Sequence, residues 1–252
     1  MSNAELFSTI AREYANFRPG YPPELFEWLA RISPARDSVW DCGCGSGQAS
    51  VALAGHFTEV HATDVAPEQI AAAKPHPRVH YSVASAEHSR LPAQSVDLVT
   101  VAQALHWFDV GAFYMEARRV ARSEAVIAVW NYPRPRFEDA ELDRRFFEFY
   151  SQVVGPYWPP ERRHIEARYR TLPFPFEEIK APEFGLDLSW NLAQVLGYVS
   201  SWSATARYRK ALGTDPVPML RASLQAAWPA ADASVPMRMP IGLLVGKLAG
   251  RS

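Results

Sequence analysis

The run Val39-Trp40-Asp41-Cys42-Gly43-Cys44-Gly45-Ser46-Gly47-Gln48 constrains the fold of this chain more than any other stretch. A short apolar run leads into three glycines that alternate with small residues, and a helix-like segment, Gln48 to Gly55, follows directly. Glycines so placed let the backbone turn sharply and let another group approach it closely. The alternation of strand-like and helix-like segments then continues. "EVHATDV" (Glu59 to Val65), "RVHYSVA" (Arg78 to Ala84), "VDLVTVA" (Val96 to Ala102) and "AVIAVW" (Ala125 to Trp130) read as strands two to five. Pro67 suits the first turn of the helix after the second strand. Phe113, Ala117 and Val120 recur at helical spacing before the fifth strand. Strands and helices alternating at this spacing form parallel βαβ units in a doubly wound sheet.

In such a sheet, ligands sit beyond the carboxyl ends of the strands where strand order reverses, and the first glycine loop lies there. Two phosphate readings fail on residue identity. The dinucleotide pattern G-x-G-x-x-G, counted from Gly43 and Gly45, needs glycine where Gln48 stands, and Gly47 comes early. A Walker loop needs Gly-Lys-Ser/Thr, and the loop has no lysine. What remains is Asp-x-Gly-x-Gly-x-Gly with an acidic residue closing the next strand: Asp64 lies 19 positions past Gly45 (64 − 45). A carboxylate there can accept both hydroxyls of a ribose. The loop therefore reads as a site for an adenosine without a pyrophosphate.

Texture changes after Asn131. Leu142, Phe146, Phe149 and Val153 put an amphipathic helix over Glu138 to Val154. Prolines, arginines and aromatics then crowd an irregular segment, Gly155 to Phe176, of the kind that caps a site. Two further strands are expected around Glu178 to Trp190 and Val235 to Leu248, with helices between them. The expected layout is residues 1–33 as an N-terminal lid and first helix, 34–132 as the α/β core, 133–177 as a helical and irregular cap, and 178–252 completing the core.

Composition narrows the partners. The 252 residues are 48% hydrophobic and 21% charged, an ordinary globular balance. Net charge is −1, without the basic surplus that nucleic-acid binding favours. No apolar run approaches the roughly 18 residues that span a bilayer, and no charged-then-apolar segment opens the chain. Cys42 and Cys44, one residue apart, are poorly placed to bridge each other, which makes a reduced, cytoplasmic setting the expectation. One C-x-C without a cluster of other ligands gives no reason to expect a metal.

The glycine loop with its acidic partner resembles motif I of the class I S-adenosylmethionine-dependent methyltransferases. The resemblance continues through "VASAEHSRLPAQSVDLVTVAQALHWF" (Val83 to Phe108) and "EARRVARSEAVIAVWNY" (Glu116 to Tyr132). "FSTIAREYANFRPGYPPELFEWL" (Phe7 to Leu29), "YWPPERRHIEARYRTLPFPFEEI" and "LGYVSSWSATARY" resemble the lid, cap and last helix of the small-molecule branch related to trans-aconitate methyltransferase. This resemblance, a member of the type 11 methyltransferase family, implies a Rossmann-like, mostly parallel seven-stranded sheet with an α-helical cap after the fifth strand. It implies S-adenosyl-L-methionine as cofactor. One departure is Ser123-Glu124-Ala125, where the family has Pro-Gly-Gly before the fifth strand.

The site residues follow. Asp41, Gly43, Cys44, Gly45, Gly47 and Gln48 form the loop, with Asp41 holding it or reaching the methionine ammonium. Asp64 and Val65 lie at the ribose. Ser85, Ala86 and Glu87 lie at the adenine; the family's aspartate is Ser85 here, which leaves the adenine amine to a backbone group or to Glu87. Gln103 and Ala104 close the fourth strand. His106 reads as a general base or as a packed loop histidine. Trp107 reads as a core residue or as an aromatic that favours a sulfonium through cation–π attraction of roughly 0.5–2 kcal/mol. Tyr14, Arg18 and Tyr21 form the lid implied by the resemblance, and Trp130 and Tyr132 join the acceptor side. Arg18 can clamp a carboxylate or pair at the surface. Arg162, Arg163 and His164 add positive charge near the aromatic cap. "NYPR" at Asn131 has some likeness to the motif of amino-methylating DNA enzymes, but it follows the fifth strand, not the fourth.

The leading function is methyl transfer to a small-molecule acceptor, a carboxylate among the candidates, with no nucleic-acid, membrane or metal partner and the oligomeric state open. Alternatives are a methyltransferase of nucleic acid or protein, and a non-catalytic module that binds S-adenosylmethionine. A dehydrogenase ranks last because of Gln48.

Overall fold

The computed structural model describes residues 20–230 and 232–248, which leaves Tyr14 and Arg18 outside the described residues. In chain order the strands are β1 Ser38–Cys42, β2 Glu59–Asp64, β3 Val79–Val83, β4 Val96–Ala102 and β5 Ala121–Asn131. They continue with β6 Arg136–Phe137, β7 Glu177–Glu178, β8 Gly185–Asn191, β9 Ser234–Pro240 and β10 Gly242–Lys247. Two compact units result. One comprises Gly20–Pro133, Arg163–Gly185 and the chain from Pro240 on; the other includes Arg134–Arg162 and Leu186–Met239.

The first unit carries a seven-stranded sheet in the order β3-β2-β1-β4-β5-β10-β7. Strands β1 to β5 pair in parallel, while β10 runs antiparallel to both β5 and β7. The order reverses between β1 and β4, the switch point where an open sheet binds ligand. Every residue of β1 is buried, as are all but the last of β4. Strands covered on both faces read as continuous apolar runs, which is why these two were legible. The helix Val110–Val120 packs Phe113, Ala117 and Val120 inward, with Asp109 accepting from Ala112 N at its start.

Two expectations change. The strand expected around Glu178 to Trp190 is β7 and β8, and the one around Val235 to Leu248 is β9 and β10. Pro182 and Pro240 cannot donate to a ladder, and each run breaks around them. The halves then go to different sheets: β7 and β10 extend the large one, while β6, β9 and β8 form a three-stranded sheet. The second unit is therefore not a purely helical cap, and residues 186–239 belong to it instead of completing the core. Its packing explains why. Phe137 meets Phe146 at 5.3 Å and Trp228 at 6.1 Å, and Arg145 donates to Ser223 O at 3.1 Å. The helix expected over Glu138 to Val154 is present as Ala140–Glu148 followed by a π-helical turn, Phe149–Val153.

At the Ser123-Glu124-Ala125 turn, Glu124 takes φ +62°, a left-handed backbone that glycine adopts without penalty. Among the described residues, no helix is long and apolar enough to cross a membrane.

Candidate active site

The glycine loop joins β1 to the helix Gln48–Leu53, and its three glycines have positive φ for different reasons. Gly43 has φ +68°, and a Cβ there would lie 2.6 Å from Ala104 Cβ. Gly47 has φ +84°, and a Cβ there would collide with the Tyr81 ring. Gly45 has φ +55°, yet the nearest atom to its Cβ position is Gln69 Oε1 at 3.8 Å. Two glycines are closed off by the protein's own side chains. Only Gly45 leaves space at the loop, where a cofactor can approach the backbone.

Asp64, the last residue of β2, accepts from Gly45 N at 2.8 Å and from Ala66 N at 2.9 Å. Burial raises its pKa, opposed by those backbone bonds. The same carboxylate thus fixes the middle glycine and faces the end of the switch point. Val65 beside it is largely exposed. Gly43 N and Cys44 N both donate to Thr63 O, at 2.8 and 3.0 Å, which seats the loop on β2.

Asp41 is fully buried and accepts from Ser50 Oγ at 2.6 Å and Thr100 Oγ1 at 2.9 Å. Burial pushes its pKa up to about 6 despite the two hydroxyls. Of the two roles open to Asp41, this geometry serves the first: it ties β1, β4 and the following helix together beneath the loop. Burial also pushes the Cys42 and Cys44 thiols well up, and both cysteines are free.

The segment after β3 joins this wall. Ala84 N donates to Asp64 O at 3.1 Å, Ser85 bridges His88, Ala86 is buried, and Glu87 Oε1 accepts from Asp109 N at 3.1 Å. Glu87 therefore also caps the helix that begins at Val110. Ser89 is pinned by Glu116, whose carboxyl is held down at about 2 by Arg119.

The other part of the rim is the carboxyl end of β4 and β5. Gln103 has φ +58°; its N donates to Trp130 O at 2.8 Å and its Nε2 to Tyr132 O at 3.2 Å. His106 lies in a single helical turn, Leu105–Trp107, with its ring 4.7 Å from Trp107 and Nδ1 3.0 Å from the Tyr169 hydroxyl. Tyr169 is fully buried and reaches His106 from 63 positions away. It does so because Arg168 (φ +51°) and Tyr169 (φ +62°) both take left-handed backbone, which costs roughly 1–2 kcal/mol per residue. Tyr21, Trp130 and Tyr132 gather beside Phe26, with Tyr21 5.5 Å from Trp130 and 6.1 Å from Tyr132.

Sequence reading missed Tyr81, Tyr169 and the buried amide of Asn131. An asparagine closing an apolar strand was the visible signal for the last. In the second unit, Arg162 lies 4.5 Å over the Trp158 ring and donates from Nε to the Tyr150 hydroxyl at 3.0 Å. Among the other candidate cations, Arg163 donates to the His164 ring at 3.4 Å, and His164 also meets the Thr171 hydroxyl at 2.8 Å.

Comparison with known proteins finds methyltransferases. Residues 40–129 match the family model described as a methyltransferase domain. A Dictyostelium discoideum protein named as a methyltransferase is 33% identical over 248 residues, covering 96% of this chain and 94% of that one. A Mycobacterium bovis protein, also named a methyltransferase, is 32% identical over 176 residues, 69% of this chain and 67% of that one. The solved structure of a protein from Anaeromyxobacter dehalogenans, described as a type II methyltransferase, has a TM-score of 0.87 at 45% identity. It covers 93% of this chain, and all of that chain is matched.

Proposed function

Since the chain belongs to the class I S-adenosylmethionine-dependent methyltransferases, we propose that it methylates a small-molecule acceptor at the carboxyl rim of β4 and β5. The cofactor supplies an electrophilic methyl group on a sulfonium. The loop fits it: Gly45 leaves open space, and Asp64 stands next to it to take ribose hydroxyls. Glu87 and the backbone around Ala86 take the adenine, Asp41 keeps the loop in place, and Gln103 and Ala104 close the far side. Val65, exposed beside Asp64, covers the nucleoside in this reading.

One observation carries the acceptor assignment: the 3.0 Å contact between His106 Nδ1 and the Tyr169 hydroxyl. With Nδ1–H donated to that oxygen, Nε2 holds the lone pair and can take a proton from a hydroxyl or amine. Trp107 and the group Tyr21, Trp130 and Tyr132 supply an apolar wall. The near-neutral charge supports a small acceptor over a polyanion. The two free cysteines accord with a cytoplasmic setting.

The second reading is an acidic acceptor, a carboxylate that needs no general base at His106.

The test is methyl-labelled cofactor with a panel of phenols, amines and carboxylic acids, read by mass spectrometry for wild type and His106→Ala. Transfer to a hydroxyl or amine should fall by about 10²–10⁴-fold in the variant, the usual scale of general-base catalysis. Methyl esters formed equally by both proteins would favour the acid reading, since a carboxylate needs no base. Label found only in protein or nucleic acid, or tight binding without transfer, would overturn the small-molecule assignment.

A further inference from the structure

Six buried side-chain atoms have no hydrogen-bond partner among the described residues, and four of them sit on Gln103, Trp130 and Asn131. These three residues are joined by backbone pairing. Ala102 is in register with Trp130, and Gln103 N donates to Trp130 O at 2.8 Å. The next pair in that register would be Gln103 with Asn131. Asn131 is fully buried, and neither its amide nitrogen nor its oxygen has a partner. Gln103 spends its amide nitrogen on Tyr132 O, which assigns the remaining atom, Oε1, as an acceptor lacking a donor.

Buried polar groups are almost always satisfied, so the three orphaned amide atoms of Gln103 and Asn131 need a cause; Trp130 Nε1 lies on the opposite face of β5. Side chains alternate along a strand, so Asn131 shares its sheet face with Ile127 and Val129 and with the cluster that contains Tyr169. Its neighbour across the β5–β10 ladder is Gly242, where a Cβ would collide with Arg168. The amide is thus enclosed on the sheet face that also carries His106's partner.

We infer that Asn131, with Gln103 Oε1, binds the methyl acceptor through a group that carries N–H or O–H hydrogens. This rests on the proposed small-molecule reading and deepens it. Asn131 Oδ1 and Gln103 Oε1 are two acceptors that need donors, and Asn131 Nδ2 is one donor that needs an acceptor. A hydroxyl, amine or carboxamide offers both kinds of atom. A carboxylate, which only accepts, would satisfy Nδ2 and face two carbonyl oxygens. The acceptor class that answers these atoms is also the class that needs a base at His106.

Asn131→Leu, close in volume and apolar, separates a ligand-binding amide from a structural one. A side chain held back for a ligand leaves the free protein no less stable when replaced by an apolar shape. The variant should melt at or above wild type and bind S-adenosylhomocysteine with unchanged affinity. On a panel of phenols, aliphatic alcohols, amines, carboxamides and carboxylic acids, kcat/KM for the donor-bearing acceptors should fall by about tenfold or more, chiefly in KM. Asn131→Ala should show the same rise in KM. A melting point several degrees below wild type for Asn131→Leu, or failure of both variants to fold, would assign the amide to the fold or to a buried water and overturn the proposal. So would turnover of carboxylic acids alone with kcat/KM unchanged in the variant, an outcome that leaves the small-molecule reading intact. Transfer to no member of the panel would count against that reading instead, while the melting comparison still decides the role of the amide.

Discussion

On the β1–β2 side of the rim, Asp64 receives the N–H groups of Gly45 and Ala66, and Asp41 receives the hydroxyls of Ser50 and Thr100. On the β4–β5 side, Gln103, Trp130 and Asn131 leave four buried atoms without partners. One side is complete in itself; the other withholds bonding capacity. A buried unsatisfied atom costs about 1–3 kcal/mol, so the second arrangement is retained at the expense of stability. The contrast fits two ligands of different kinds. In the reading proposed above, a cofactor common to the family is met by a rigid backbone cradle, and the acceptor by side chains at the strand ends.

The largest effect should come from breaking the complete side. Gly45→Arg places a side chain in the one opening of the loop and forces a non-glycine residue to φ +55°. Titration calorimetry should find no binding of S-adenosylmethionine to the folded variant. Affinity close to wild type would remove the cradle from the cofactor site and with it the contrast between the two sides.

A second effect, on stability, is set by Asp41. Its folded pKa of about 6 lies above the ordinary 3.8, so between those values the native chain holds more protons than the unfolded one. Stability therefore falls as pH rises through that window, by on the order of 3 kcal/mol for this group. Asparagine can accept from Ser50 and donate to Thr100, so Asp41→Asn should remove that slope and be the more stable protein above about pH 6. Urea midpoints measured across the window would show it. Parallel curves for the two proteins would mean that burial of this carboxylate carries no penalty, and that the cofactor side is as free of cost as it is complete.

Much of the complete side was legible because its chemistry is local. Asp41, Gly43, Gly45 and Gly47 lie in one loop, and Asp64 closes the adjacent strand. Even so, nothing in the residue pattern tells that Tyr81 fills Gly47's face while Gly45 stays open. The acceptor side depends on contacts far apart in the chain. Tyr169 reaches His106 only through two consecutive left-handed residues, which no periodicity announces. Asn131 looks like the fraying end of a strand until its burial is known. The breaks between β7 and β8 and between β9 and β10 escape the pattern for a related reason: apolar pattern places a strand but does not say which sheet it enters.

The smallest effect concerns strain rather than hydrogen bonds. Gln103, on the incomplete side, and Glu124, near the amino end of β5, share nearly the same left-handed backbone, φ +58° and +62°. If strain at Gln103 is kept for the site, strain at Glu124, an exposed residue remote from the rim, should be dispensable. Glu124→Gly removes the penalty of a side chain at positive φ, less the greater freedom glycine has when unfolded, for a net gain of about 0.5–1 kcal/mol. Thermal melting should rise by a few degrees at most, with cofactor affinity and turnover unchanged. A variant that gains stability but loses turnover would tie the far end of β5 to the acceptor side. Strain would then be a property of the whole strand, and the comparison between the two sides would have to be redrawn along β5 instead of across the rim.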